Sequence, residues 1–261
     1  MTGRPIHLAT DGALAQLILD RPDKRNALSL AMWQAIPALV AAAAADPEVK
    51  VLIVRGASAE AFSAGADIAE FDQVHGSAAA ARRYHDVIAA AYDALAGLEK
   101  PTIAMIQGVC FGGGCALALC CDLRYADPSA RFCIPPARLG LTYSLGETKR
   151  LVDLVGPAKA KEMLMGATVL DAEEALRLGL ATGLFPAAEL EARTLAFARH
   201  LCGLSQFTIR AVKQIVGEIT HGAVTETELS MRLLERQFEG PDYLEGRRAF
   251  LEKRPPVFTW R

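Results

Sequence analysis

The sequence contains no run of about 18 uncharged apolar residues, the length a membrane-crossing helix needs. Its opening stretch, MTGRPIHLATDG, lacks the apolar centre of a signal peptide. A cytoplasmic protein that does not engage membranes is the expectation. Charge of one sign is missing as well. The chain carries 28 Lys and Arg against 30 Asp and Glu, so no overall field draws it to nucleic acid, and an anionic ligand has to be held locally. The five histidines form no HxxxH or HxH pair and no two of the six cysteines are spaced as CxxC, which leaves a metal site without support. Five of those cysteines, Cys110, Cys115, Cys120, Cys121 and Cys133, lie in apolar surroundings and read as buried reduced thiols. Neither GxGxxG nor GxxxxGK[ST] occurs, so nucleotide binding has no motif.

What the chain has is apolar material, 52% of 261 residues, enough for one large core. Ile6 to Thr10 and Ala13 to Asp20 read as a hairpin across Asp11-Gly12. Ser29 is placed to cap an Ala-rich helix that runs to about residue 45. The uniformly apolar runs VKVLIVRG (49–56) and PTIAMIQG (101–108) read as strands buried on both faces, joined through a helix over about 78–97, which is the pattern of a parallel crossover. A helix over 113–121 and short strands at DLRYA (122–126) and ARFCI (130–134) follow. Past Gly140 the chain turns helical. Asp171 with Glu174 and Thr225 with Glu228 have capping-box spacing and mark helix starts, and helices over about 187–201, 205–220, 225–238 and 243–252 close the chain. The expectation is an α/β core over residues 1–200 and a helical region over 201–261.

Two glycine-containing loops, FSAGADI (62–68) and GVCFGGGCAL (108–117), follow the two apolar strands and lead into helices. Such turns aim free backbone amides outward, where they can hold an anion or a developing oxyanion; glycine is equally at home in a tight turn with no ligand. The pair, in this order and together with LDRPDKRNALS (19–29), KPTIAMIQGVCFGGGCALALCCDLRYAD (100–127) and AFLEKRPPVF (249–258), resembles the enoyl-CoA hydratase/isomerase, or crotonase, family over nearly the whole chain. The resemblance implies a spiral of ββα turns, a C-terminal helical trimerisation region giving a trimer or dimer of trimers, and an acyl-CoA thioester as substrate, with coenzyme A as part of that substrate and no separate cofactor. It places an oxyanion hole on the N–H groups of Ala66 and Gly113, where two preorganised donors stabilise a thioester enolate. It further implies that CoA lies along Arg25, Ala27, Ala64, Asp67, Ile68 and Ala69, with Phe250 and Lys253 reaching it, commonly from a neighbouring subunit. Asp67 also suits capping of its own turn, and Lys253 an ordinary helix end.

The family's hydratases carry one glutamate directly after GGGC and a second twenty positions on, and here those positions are Ala116 and Pro136. Neither side chain exchanges a proton, so hydration by the familiar pair is not expected. The LGLTYSLGE stretch (139–147) offers Tyr143 and Glu147 as candidate acid or base, against the plainer alternatives that Tyr143 lines a cavity, Ser144 caps a helix and Glu147 is a first-turn residue. Family members that decarboxylate methylmalonyl-CoA carry tyrosine in a similar LGxxY setting, and loss of CO2 makes an enolate without a base. Three readings remain open: a lyase or isomerase of the family, a malonyl-type CoA decarboxylase, and a non-catalytic acyl-CoA-binding protein.

Overall fold

The computed structural model describes residues 4–260. The chain runs β1 (Ile6–Asp11), β2 (Leu14–Leu19), α1 (Leu30–Ala45), β3 (Val51–Gly56), β4 (Ala61–Ser63), α2 (Phe71–Val74), α3 (Ala78–Ala96), β5 (Thr102–Ile106), β6 (Val109–Phe111) and α4 (Gly112–Leu119). It continues through β7 (Leu123–Ala126), β8 (Arg131–Cys133), α5 (Pro136–Leu139), α6 (Leu145–Gly166), β9 (Leu170–Asp171), α7 (Ala172–Arg177), β10 (Gly183–Leu184), α8 (Ala187–Cys202), α9 (Gln206–Thr220), α10 (Glu228–Glu239) and α11 (Pro241–Glu252). This is the mixed α/β architecture the sequence implied.

The strands form two sheets, a six-stranded one in the order β1-β2-β3-β5-β7-β10 and a four-stranded one in the order β4-β6-β8-β9. β1 and β2 make the expected antiparallel hairpin, with Gly12 supplying the left-handed turn at φ 57°. β2, β3, β5, β7 and β10 are parallel. The uniform apolarity of β3 follows from its two burial partners: Leu52 and Val54 enter the main core, while Val51 and Ile53 pack with Leu190 and Ala198 of α8 on the opposite face. α1 and α3 lie together, with Trp33, Ile36, Val40, Tyr84, Tyr92 and Leu95 in the main core. The five clustered cysteines are buried thiols, as expected.

Several boundaries move. α10 is capped by Thr227, whose Oγ1 accepts from the Ser230 N–H while the Ser230 hydroxyl accepts from the Thr227 N–H, so a serine takes the reciprocal role that spacing had assigned to Thr225 and Glu228. At α7 only half the expected box forms: Asp171 accepts from the Glu174 N–H at 2.8 Å, but the Glu174 carboxylate binds the Arg177 guanidinium. α11 begins at Pro241, where a missing N–H costs nothing in a helical first turn. α6 is two helices meeting at Gly156, φ 76°, directly before Pro157. Of the second sheet the sequence marks only β8, within ARFCI (130–134), because β4 and β6 are three-residue strands without a periodicity of their own.

Candidate active site

The first glycine loop is built outward from Asn26. Arg25 and Asn26 are both left-handed, at φ 48° and 56°. Asn26 is buried, and its amide donates to the carbonyl of Ala61 at 2.8 Å and to that of Phe62 at 3.3 Å, while its Oδ1 accepts from the Arg21 N–H. The Ala64 N–H donates to the Arg25 carbonyl. One loop is thus laced to the other. Leu28 then bridges residue 66 in parallel fashion, its N–H donating to the Gly65 carbonyl at 2.7 Å and its carbonyl accepting from the Asp67 N–H at 2.9 Å. In that register the groups of residues 65 and 67 face Leu28, and the N–H of Ala66 points away from the bridge.

The second loop meets the first at Gly65. With φ at 97°, Gly65 holds a conformation that side chains disfavour, and a Cβ there would come 2.9 Å from the Phe111 carbonyl and 3.2 Å from the Gly113 nitrogen. Gly113 is the second residue of α4, whose N-cap Phe111 supplies no side-chain acceptor. The first-turn amides of a helix have no carbonyl of their own to bind, and the helix dipole adds partial positive charge there. Behind Gly113, the Tyr92 hydroxyl donates to its carbonyl at 3.1 Å, and Trp33 packs edge-on against Tyr92 with ring centroids 5.3 Å apart. In front, the Tyr143 hydroxyl lies 3.6 Å from where a Cβ on Gly112 would stand. Burial, with the nearby Glu147 carboxylate adding to it, pushes the Tyr143 phenol up.

The other expected site residues divide into two groups. Arg25, Ile68 and Ala69 are exposed along the loop, and Ala64 and Ala66 are half-buried beside them. Ala27 is buried, and its carbonyl accepts from Arg21 Nη1 at 2.8 Å. Asp67, expected on the substrate side, turns inward: it is 9% exposed, Oδ2 pairs with Arg21 Nη2 at 2.9 Å and Oδ1 accepts from the Ala69 N–H. Burial raises its pKa, yet the Arg21 and Ala69 hydrogen bonds outweigh burial and hold the carboxyl below its usual value. Glu147 has Oε2 engaged with both the N–H and the hydroxyl of Ser144 in a capping box, the structural alternative read from the sequence. Ala116 and Pro136 are buried apolar side chains. Phe250 and Lys253 sit on α11 and at its left-handed C-cap, with Phe250 84% exposed. Asn26, Ser63 and Tyr92 were not singled out beforehand, since their importance is a matter of which carbonyl or amide each meets across the fold. For Asn26, its tolerance of left-handed backbone inside KRNAL was the available signal.

Fold and loops together define a known class. Residues 9–261 match the Enoyl-CoA hydratase/isomerase family. Crotonyl-CoA hydratase of Syntrophomonas wolfei is 36% identical over 257 residues, covering 97% of each chain. A solved enoyl-CoA hydratase/isomerase family protein from Hyphomonas neptunium superposes with a TM-score of 0.96 at 41% identity, covering 99% of this chain and 98% of that one. An enoyl-CoA hydratase/carnithine racemase from Magnetospirillum magneticum gives 0.94 at 33% identity, covering 99% and 96%. The chain belongs to the enoyl-CoA hydratase/isomerase family and has the crotonase fold.

Proposed function

We propose that this chain binds an acyl-CoA thioester with its carbonyl oxygen between the N–H groups of Ala66 and Gly113, and that these donors stabilise a thioester enolate which Tyr143 protonates. The observation that supports the reading is the closeness of Gly65 to the second loop, where a Cβ on it would stand 3.2 Å from the Gly113 nitrogen, together with a first turn of α4 that carries no side-chain cap. Charge delocalised from the α-carbon onto oxygen is stabilised by donors already in place, with no reorganisation at the moment of reaction. Coenzyme A runs along Arg25, Ala27, Ala64, Ile68 and Ala69, and Asp67 acts from beneath by holding the loop to Arg21.

Tyr143 is the better placed of the two candidates, because Glu147 Oε2 is already engaged by the N–H and hydroxyl of Ser144 while the Tyr143 hydroxyl stands beside Gly112. A site with a proton donor, two amides and apolar side chains at positions 116 and 136 suits reactions that form the enolate without removing an α-proton, decarboxylation of a malonyl-type thioester above all. Hydration is the second reading, favoured by relatives such as the Syntrophomonas wolfei crotonyl-CoA hydratase. Phe250, Lys253 and the apolar faces of α9 to α11 belong to an assembly of chains, a trimer or a dimer of trimers, in which α11 of one chain approaches the CoA of the next.

The test is turnover of methylmalonyl-CoA, crotonyl-CoA and a 3-enoyl-CoA by the purified protein and by its Tyr143→Phe variant. The reading predicts CO2 release from the first and a loss of about 10²-fold or more in kcat for the variant, the range for a positioned acid. Rapid crotonyl-CoA hydration untouched by Tyr143→Phe would overturn the acid assignment. Acyl-CoA binding with no turnover of any thioester would leave a binding protein in place of an enzyme.

A further inference from the structure

One buried side chain meets a neighbour of each candidate amide donor. Ser63, the last residue of β4, is fully buried. Its hydroxyl donates to the Asn26 carbonyl at 2.8 Å and accepts from the Gly65 N–H at 3.1 Å. On its other side Gly114 presses so closely that a Cβ on that glycine would fall 2.5 Å from both Cβ and Oγ of Ser63. Ser63 therefore touches the residue before Ala66 and the residue after Gly113, and its hydrogen bonds fix it to the left-handed Asn26 loop. The hydroxyl uses its one proton and accepts one bond, so it has a single well-determined orientation.

We infer that Ser63 is a positioning residue that sets the separation and aim of the Ala66 and Gly113 amides toward a shared thioester oxygen. It touches no substrate itself. This inference rests on the oxyanion reading above. Its physical basis is the steep dependence of such sites on geometry, where displacement of a donor by about 1 Å can cost 10²-fold in rate. Removing the hydroxyl leaves the Gly65 N–H and the Asn26 carbonyl without their partner and opens space beside Gly114, so both loops gain freedom at the point where they meet.

The direct readout is the infrared band of the thioester carbonyl in butyryl-CoA carrying ¹³C at C1, a saturated probe that gives a signal without turnover. Bound to the unaltered protein, the band should move to lower frequency than in free butyryl-CoA, as polarisation by two donors requires. In Ser63→Ala at least half of that displacement should vanish while calorimetry still shows binding, and kcat should fall about tenfold to a hundredfold at nearly constant KM. Ser63→Cys, close in shape with a weaker donor and acceptor, should fall between the two, and it carries the test if the alanine variant fails to fold. An undiminished carbonyl displacement in either folded variant would overturn the role of Ser63 while leaving the amide pair intact. Absence of any displacement in the unaltered protein would instead remove the oxyanion reading, and this inference with it.

Discussion

The loop region around Asn26, Gly65 and Gly113 and the helices α9 to α11 solve opposite problems with the same chain. At the loops the side chains of Asn26, Asp67 and Tyr92 are taken out of water and paired: Asn26 reaches two carbonyls, Asp67 binds Arg21, and Tyr92 supports Gly113. In the C-terminal helices apolar groups stay in water. Val212, Val216 and Ile219 lie on one stripe of α9, and Phe238, Leu244, Phe250 and Leu251 are open on α10 and α11, each more than half exposed. Among the described residues the ion pairs of α11 and the segment after it, Arg254 with Glu245 and Glu252 and Arg248 with Glu252, are partly or fully open to solvent. The loops are complete within a single chain, whereas the helices present a face that one chain does not cover. Internal hydrogen bonding fixes positions to within tenths of an ångström, which suits a reacting centre. An uncovered apolar stripe suits association, where area matters more than aim.

Four measurements would break or sharpen this contrast. The largest effect is expected at Gly113→Pro, which removes one main-chain donor in the first turn of α4 and brings a Cβ to 3.1 Å from the Trp33 ring. Loss of about 10²–10³ in kcat should accompany retained circular dichroism, because one oxyanion donor is worth about 2.7–4 kcal/mol. Near-normal turnover would end the special status of this loop.

Next come Val216→Lys and Ile219→Lys on α9. Each should cost an assembly about 1.5–3 kcal/mol per apolar side chain left exposed. Sedimentation velocity should show dissociation of the proposed trimer, with circular dichroism unchanged. An unaltered sedimentation coefficient would mean that the stripe is no interface. Asn26→Ala should destabilise the chain itself by about 2 kcal/mol in urea unfolding, since two carbonyls lose their donor and a non-glycine residue is left at positive φ.

The smallest effect concerns acid. Hydrogen bonds from Arg254 and the Val257 N–H hold the half-buried Glu245 carboxyl at about 2, below its unfolded value. Its stabilising contribution is therefore complete above the ordinary carboxylate range and is lost as pH falls toward 2. The protection of the Val257 amide, its exchange rate relative to the intrinsic rate at each pH, should fall over that interval and hold steady between pH 6 and 8. The depressed Asp67 carboxyl obeys the same sign, so acid should loosen both regions, the C-terminal clamp showing the weaker effect.

Much of the fold was legible because neighbouring residues carried it. The β1–β2 turn, the Ser29 cap, the two doubly buried strands and the closing helices each follow from patterns within a few residues of one another. The candidate site was legible only as a pair of loops. Thr227 displaced Thr225 as a cap, and Glu147 went to Ser144, because competing local partners of similar spacing are distinguished only by the path the chain takes around them.

The sequence by itself determined the α/β class, the family motifs and the absence of carboxylates at positions 116 and 136, all properties of residue type and order. Only the tertiary structure decided that Gly65 lies where a Cβ would crowd Gly113, that Asp67 faces Arg21 and that Ser63 packs against Gly114 of the second loop. Those contacts join residues about 46 to 51 positions apart, and the angle at which an N–H points is fixed by the packing of both partners, which no local pattern encodes.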